Sequence, residues 1–342
     1  MKLLVFLLVT LSAFGQTTFH NPLLSSGPDP WIARDRDFYY MTVSTGTNLV
    51  IRKSLSLAGL SGAEPVVVWE PPATGSDSKE IWAPELHRID GKWYLYYSAD
   101  DGENSDHRIY VLENGDPDPT SLHWIDKGRL TTDDHWAIDA TVFELGHALY
   151  AVWSGWPGSV DGTQNLYISR MKSPWEASGP RVLISTPEHA WEKFGDIKTK
   201  EGVRHVNVNE GPEVLQHDGQ VFLTYSASGC WTDHYALGML VLAKGGNPMK
   251  RESWTKDDEP VFQGSPAAHA FGTGHNGFFT SPDGRQSWIV YHANPEANQG
   301  CGALRSPRAQ PFTWNKDGTP DFGKPIPLSA PIAVPKGDPT HP

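Results

Sequence analysis

Two cysteines are too few for a disulfide scaffold or a cysteine-rich zinc site. Positive charge is also short: 28 Lys and Arg against 40 Asp and Glu leave a net charge of −12. A nucleic-acid binder needs a basic face to neutralise phosphates, so none is expected, and an anionic membrane surface repels the same balance. Long helical patterns are missing, because no stretch carries apolar residues at i, i+3, i+4 and i+7 over several turns. The 14 histidines contain no His-Glu-x-x-His or other zinc spacing. Past the N-terminus no apolar run is long enough to span a bilayer.

What is present is an ordinary core-forming composition, 38% hydrophobic and 20% charged, with 14 Trp, 33 Gly and 28 Pro. Gly and Pro at that density point to many turns between short strands. The tryptophans point to aromatic platforms, an indole-rich core, or both. Residues 1–15 read as a secretory signal peptide: Lys2, an apolar run from Leu3 to Leu11, then Ala13 and Gly15 as a small-x-small cleavage site. A secreted, extracellular protein is expected. There a Cys230–Cys301 disulfide is chemically permitted, and two buried thiols are the alternative.

One pattern recurs along the chain. Asp29-Pro-Trp-Ile-Ala33 leads to Phe38–Thr42, and Trp82–His87 leads through Asp90-Gly91 to Trp93–Ser98. Asp139–Phe143 leads to Leu149–Ser154, and Glu210–Leu215 leads through Asp218-Gly219 to Val221–Ser226. Gly274–Phe279 leads through Asp283-Gly284 to Trp288–His292. Each copy reads as a strand, a tight turn, an aromatic strand, then one or two further strands. Five copies at a period of about 60 residues predict an all-β, five-bladed β-propeller, formed as a single catalytic domain over residues 16–330. An irregular sandwich would not restart with the same strand five times. The Pro-rich segment 331–342 is expected to fray.

The first strand of a propeller blade lines the central channel. Asp29, Asp139 and Glu210 stand at or just before the start of that strand, in one repeat register, and Glu85 follows Pro84. Acids from different blades therefore converge on one funnel. Glycoside hydrolysis needs two carboxyl groups across a bond, one protonated and one ionised. A third can hold their charges apart. Prolines around Asp29 and after Glu210 limit backbone drift, as a catalytic group requires.

These residues resemble glycoside hydrolase family 43, the five-bladed propeller enzymes acting on arabinose- and xylose-containing plant polysaccharides. The matching motifs are His20-Asn-Pro with Gly27-Pro-Asp-Pro-Trp31, Ile81-Trp-Ala-Pro-Glu85, Trp136-Ala-Ile-Asp-Ala140, Val208-Asn-Glu-Gly-Pro-Glu213 and Gly274-His275-Asn276. The resemblance implies an inverting mechanism with Asp29 as general base, Glu210 as general acid, and Asp139 tuning and orienting that acid. An inverting pair leaves room for water, at a separation of roughly 6.5–9.5 Å. An ionised Asp139 is expected to keep Glu210 protonated.

The substrate-binding candidates are Trp82, by its place at the mouth of its blade, and Arg305, which resembles the family's last-blade arginine. Arg308 competes with Arg305, and Trp156 and Tyr225 are further candidates. His275 resembles the residue near a metal, often calcium, in the axial channel. Calcium prefers oxygen ligands, and a Gly-His-Asn-Gly turn accounts for the same residues. No cofactor is required by the implied chemistry.

The expected activity is an exo-acting α-L-arabinofuranosidase, a monomer taking arabinose-containing polysaccharide or oligosaccharide. The wording Tyr150–Trp156 and Tyr225–Trp231 resembles the arabinofuranosidase members. A β-xylosidase or an endo-arabinanase of the same fold is the alternative. From another class, a non-catalytic sugar-binding propeller would be expected to lack one of the three acids.

Overall fold

The computed structural model describes residues 17–130 and 133–339, so the expected signal peptide lies outside the described residues. Five sheets of four strands follow one another along the chain. Blade I contains Trp31–Asp35, Phe38–Thr42, Leu49–Ser54 and Val66–Trp69. Blade II contains Lys79–Ile89, Lys92–Asp100, Arg108–Asn114 and Ile125–Arg129. Blade III contains Ala137–Leu145, Ala148–Gly155, Thr163–Ser173 and Glu176–Ser185. Blade IV contains Asn207–His217, Gln220–Ala227, Ala236–Leu242 and Trp254–Lys256. Blade V contains Phe271–Thr280, Ser287–Asn294, Ser306–Trp314 and Pro320–Asp321. Pairing within each blade is antiparallel, and blades III and IV also touch through a short parallel pairing, Thr163 to Asn207 and Gln164 to Val208.

The aromatic second strands explain the blade stacking. In Lys92–Asp100, Trp93, Leu95 and Tyr97 enter the core between blades I and II, while Tyr94 and Tyr96 enter the core between II and III. A strand sandwiched by two neighbours buries both faces, so it reads as nearly continuous aromatic and aliphatic residues. Three further cores close the circle, between III and IV, IV and V, and V and I. Each fully buried large side chain there contributes about 1.5–3 kcal/mol.

The C-terminal segment is docked, contrary to the expected frayed end. Ile332–Ala333 pairs antiparallel with Thr18–Phe19, and Phe19 and Ile332 both enter the core between blades V and I. Farther on, Asp338 accepts the Tyr39 hydroxyl at 2.5 Å and the Leu57 N–H at 2.9 Å. A ring of blades has one seam where its ends meet, and this strap of both chain ends covers it.

The innermost strands share a device that places the site. At one matching position in each blade the backbone is left-handed: Asp29 (φ 53°), Ala83 (φ 45°), Asp139 (φ 57°), Gly211 (φ 53°) and His275 (φ 46°). For an L-residue this costs on the order of 1–2 kcal/mol. In four cases the kinked N–H is met by a serine or histidine of the preceding blade. Ser44 Oγ accepts from Ala83 at 2.6 Å, Ser98 Oγ from Asp139 at 3.0 Å, Ser226 Oγ from His275 at 2.8 Å, and His292 Nδ1 from Asp29 at 3.1 Å. Blade IV departs: the Gly211 N–H goes to the Asp139 carboxylate at 3.1 Å. The left-handed position of blade IV is thus Gly211, and Glu210 stands one residue earlier, which corrects the expectation that all three acids share one register.

Candidate active site

The kinks open into a cavity of about 690 Å³ whose lining includes Asp29, Asp139 and Glu210. Segments of every blade contribute to its wall. Blade I supplies Gly27 and Thr45, blade II Trp82 and Asn104, blade III Trp136 and Trp156. The 197–204 hairpin adds Ile197 and Arg204, and blades IV and V add Trp231 and Arg305.

Asp29 and Glu210 are each 8% exposed, and Asp139 is 4% exposed. Two side-chain donors reach the Asp29 carboxylate. Arg305 Nη1 donates to Oδ1 at 2.8 Å and Ser44 Oγ donates to Oδ2 at 2.6 Å. Nδ1 of His275 and of His292 each lie 3.4 Å from Oδ1. Burial alone would raise this carboxyl. Arg305, then the two histidines, outweigh burial and hold Asp29 well below the ordinary carboxylate range. Because His292 Nδ1 accepts the Asp29 N–H, the neutral ring carries its proton on Nε2. Burial and the Arg305 charge depress His292 to about 4.

Among the described residues no cation forms an ion pair with Glu210. Burial pushes it up to about 7, against the Tyr235 hydroxyl, which donates to Oε1 at 2.9 Å, and with help from the negative charge of Asp29. Asp139 also rises well above the usual range, through burial and then through Glu210 and Asp29. The sequence reading expected both Asp29 and Asp139 to be ionised. Asp29 is held low as expected, but burial and the neighbouring carboxyls push Asp139 up, so it is a second buried carboxyl beside Glu210 and not a standing negative charge.

Trp82 lines the cavity, stacked on His107 at 3.9 Å, with its indole N–H on Glu80 at 3.1 Å. Trp156 stacks on Trp136 at 4.8 Å, and both line the cavity. Arg305 reaches the base-side carboxyl, while Arg308 is fully buried and donates to the carbonyls of Ala268 and His269. Tyr225 does not reach the cavity. It lies buried between blades III and IV with its hydroxyl on Glu192 Oε1 at 2.9 Å, so its place is structural. Glu85 is also outside the cavity lining, within hydrogen-bond reach of His87 at 2.8 Å.

For the metal expected near His275, the donors do not fit calcium. Calcium takes six to eight oxygen ligands. His275 offers one nitrogen, and the carboxylate oxygen it faces is engaged by Arg305. No group of three or more His, Cys, Asp or Glu side chains suited to a metal ion occurs among the described residues.

Cys230 and Cys301 are disulfide-bonded, with Cα atoms 5.1 Å apart, at the cavity rim. Several site residues escaped the sequence reading. Ser44, two residues past Phe38–Thr42, and His292, near the end of Ser287–Asn294, occupy the position where blades II, III and IV have Ser98, Ser154 and Ser226. That recurring position was the signal available for both. Tyr235 lies in an irregular segment and Arg204 in the 197–204 hairpin outside the five sheets, so neither carried a repeat signal.

The glycosyl hydrolases family 43 model matches residues 19–320. An extracellular exo-α-(1->5)-L-arabinofuranosidase of Streptomyces avermitilis is 39% identical over 93% of this chain and 66% of that protein. The chain therefore spans just under two thirds of that relative's length. A Streptomyces chartreusis protein of the same name is 41% identical over 80% of this chain and 82% of its own length. The crystal structure of an α-L-arabinofuranosidase from Lactobacillus brevis superposes with a TM-score of 0.83 at 39% identity, covering 91% of this chain and 98% of that one. With a family model spanning all five blades and relatives this similar, the chain belongs to glycosyl hydrolase family 43.

Proposed function

We propose that this protein is a secreted, inverting, exo-acting α-L-arabinofuranosidase that releases arabinose from arabinan or arabinoxylan. The observation carrying the proposal is the opposite protonation of two equally buried carboxyls in one cavity, Asp29 ionised and Glu210 raised to about 7. The ionised Asp29 draws a proton from water as the water oxygen bonds to the anomeric carbon. The bond from that carbon to the leaving oxygen breaks, and Glu210 gives its proton to that oxygen. Water and the two carboxyls suffice, and no cofactor enters.

Exo action at a chain end rests on the names of the two Streptomyces relatives. The Trp136–Trp156 stack and the Trp82 ring supply flat apolar faces for the sugar. The choice of arabinose over xylose rests on the names of the Streptomyces and Lactobacillus relatives. Secretion rests on the leader-like residues 1–15 and on the Streptomyces names.

The test is proton NMR of the sugar first released from an α-1,5-arabino-oligosaccharide. Inversion delivers the β-anomer before mutarotation. First appearance of the α-anomer, or a trapped glycosyl-enzyme, overturns the mechanism. Faster turnover of xylobiose than of arabinobiose overturns the substrate.

A further inference from the structure

We propose that Tyr235 is a positioning residue for the acid, orienting the Glu210 carboxyl and setting how readily it releases its proton. The proposal rests on the reading of Glu210 as general acid.

The Tyr235 hydroxyl donates to Glu210 Oε1 at 2.9 Å, and it is the one side-chain donor on that carboxyl among the described residues. With Oε1 engaged, the other oxygen is the one left to carry a proton into the cavity. Tyr235 itself is 1% exposed and does not line the cavity, so it acts through Glu210 and not on substrate. Its ring is seated on purpose-shaped ground. At Gly274 a Cβ atom would lie 2.4 Å from a Tyr235 ring carbon, so the glycine admits the ring. The opposite partner is His292, stacked at 5.7 Å and 5° between planes, whose Nδ1 takes the Asp29 N–H. One aromatic pair thus joins the acid's neighbour to the base's neighbour.

The backbone carrying Tyr235 is fastened to the loop carrying Arg305. Cys230 is bonded to Cys301, and the Asp233 carboxylate accepts the Asn298 N–H at 2.9 and 3.0 Å. The two loops that serve the acid and the base therefore move as a unit.

A hydrogen bond donated to a carboxyl stabilises the ionised form more than the neutral one. Tyr235 and the Arg305 charge oppose burial and the Asp29 charge at Glu210. Asp139 interacts electrostatically with Glu210, and His275 and His292 stand on the Asp29 side. Without the Tyr235 hydroxyl the acid would hold its proton more tightly and over more orientations.

The experiment is Tyr235→Phe, which keeps the ring and its stack, measured beside Glu210→Gln. The alkaline limb of kcat/KM on an arabino-oligosaccharide should rise by about one pH unit. In the same variant kcat should fall roughly tenfold, with KM little changed and a smaller loss on a nitrophenyl arabinofuranoside. An alkaline limb superposable on wild type, while Glu210→Gln shows the leaving-group dependence of a lost acid, overturns the role of Tyr235. If Glu210→Gln loses both substrates equally, the acid assignment has failed and the proposal falls with it.

Discussion

Asp29 and Glu210 lie in the same cavity at the same 8% exposure, and they titrate in opposite directions. Burial acts on both alike, so burial does not decide which is base and which is acid. The difference lies in what each side of the cavity supplies. The Asp29 side brings a guanidinium, two imidazoles and a serine hydroxyl from blades I and V. The Glu210 side brings one neutral phenol and a second carboxyl. A charge-assisted contact is worth about twice a neutral one, so the guanidinium side stays ionised and the phenol side keeps its proton near neutrality.

The strongest way to break this contrast is to remove each carboxyl in turn. Asp29→Ala should lose about 10²–10⁴-fold in kcat/KM on oligosaccharide and on nitrophenyl substrate alike, because both need an activated water. Glu210→Ala should lose a similar factor on oligosaccharide and far less on a nitrophenyl arabinofuranoside, whose leaving group needs little proton help. Matching losses for the two variants across leaving groups would reverse or dissolve the roles.

Arg305→Met sharpens the comparison by stripping the cation from one side. Asp29 should rise, so the acid limb of the pH–rate profile should move up by about one to two units. Arg305 also lowers Glu210, so the alkaline limb should rise as well, by less. The whole profile then shifts to higher pH, with roughly a 10–100-fold loss at its maximum from a misplaced base. An unmoved acid limb would mean that Arg305 is not what keeps Asp29 ionised.

Asp139→Asn should have the smallest effect and the opposite sign. Removing one member of a coupled pair of buried carboxyls lets the other ionise more easily. The alkaline limb, near 7 in the parent, should fall by about one unit. Loss of the Gly211 N–H contact to the carboxylate should appear separately as a lower maximum. A reduced maximum with an unshifted limb would leave Asp139 an orienting role alone.

The contrast between the two carboxyls also marks where sequence reading stopped. The five repeats were legible because each blade must bury both faces of its second strand, which forces aromatic runs such as Trp93–Ser98 at even spacing. The three acids were legible because each stands at or just before the start of the first strand of its repeat. The one-residue offset of Glu210 was not, because only the backbone conformation distinguishes Gly211 as the counterpart of Asp29 and Asp139. Tyr225 was misplaced for a related reason: an aromatic residue in a second strand looks the same whether it faces a cavity or a neighbouring blade.

The sequence by itself determined the number of blades, their circular order and which end of the inner strands bears the acids, since these follow from local periodicity and turn chemistry. It permitted the Cys230–Cys301 bond without requiring it. The tertiary structure alone decided the protonation of the site. The groups that set it are far away in the chain: Arg305 is 276 residues from Asp29, His292 is 263 residues away, and Tyr235 is 25 residues from Glu210. Electrostatic fields and hydrogen bonds act through space, over a few ångströms, and those distances exist only once the seam between blades V and I has closed.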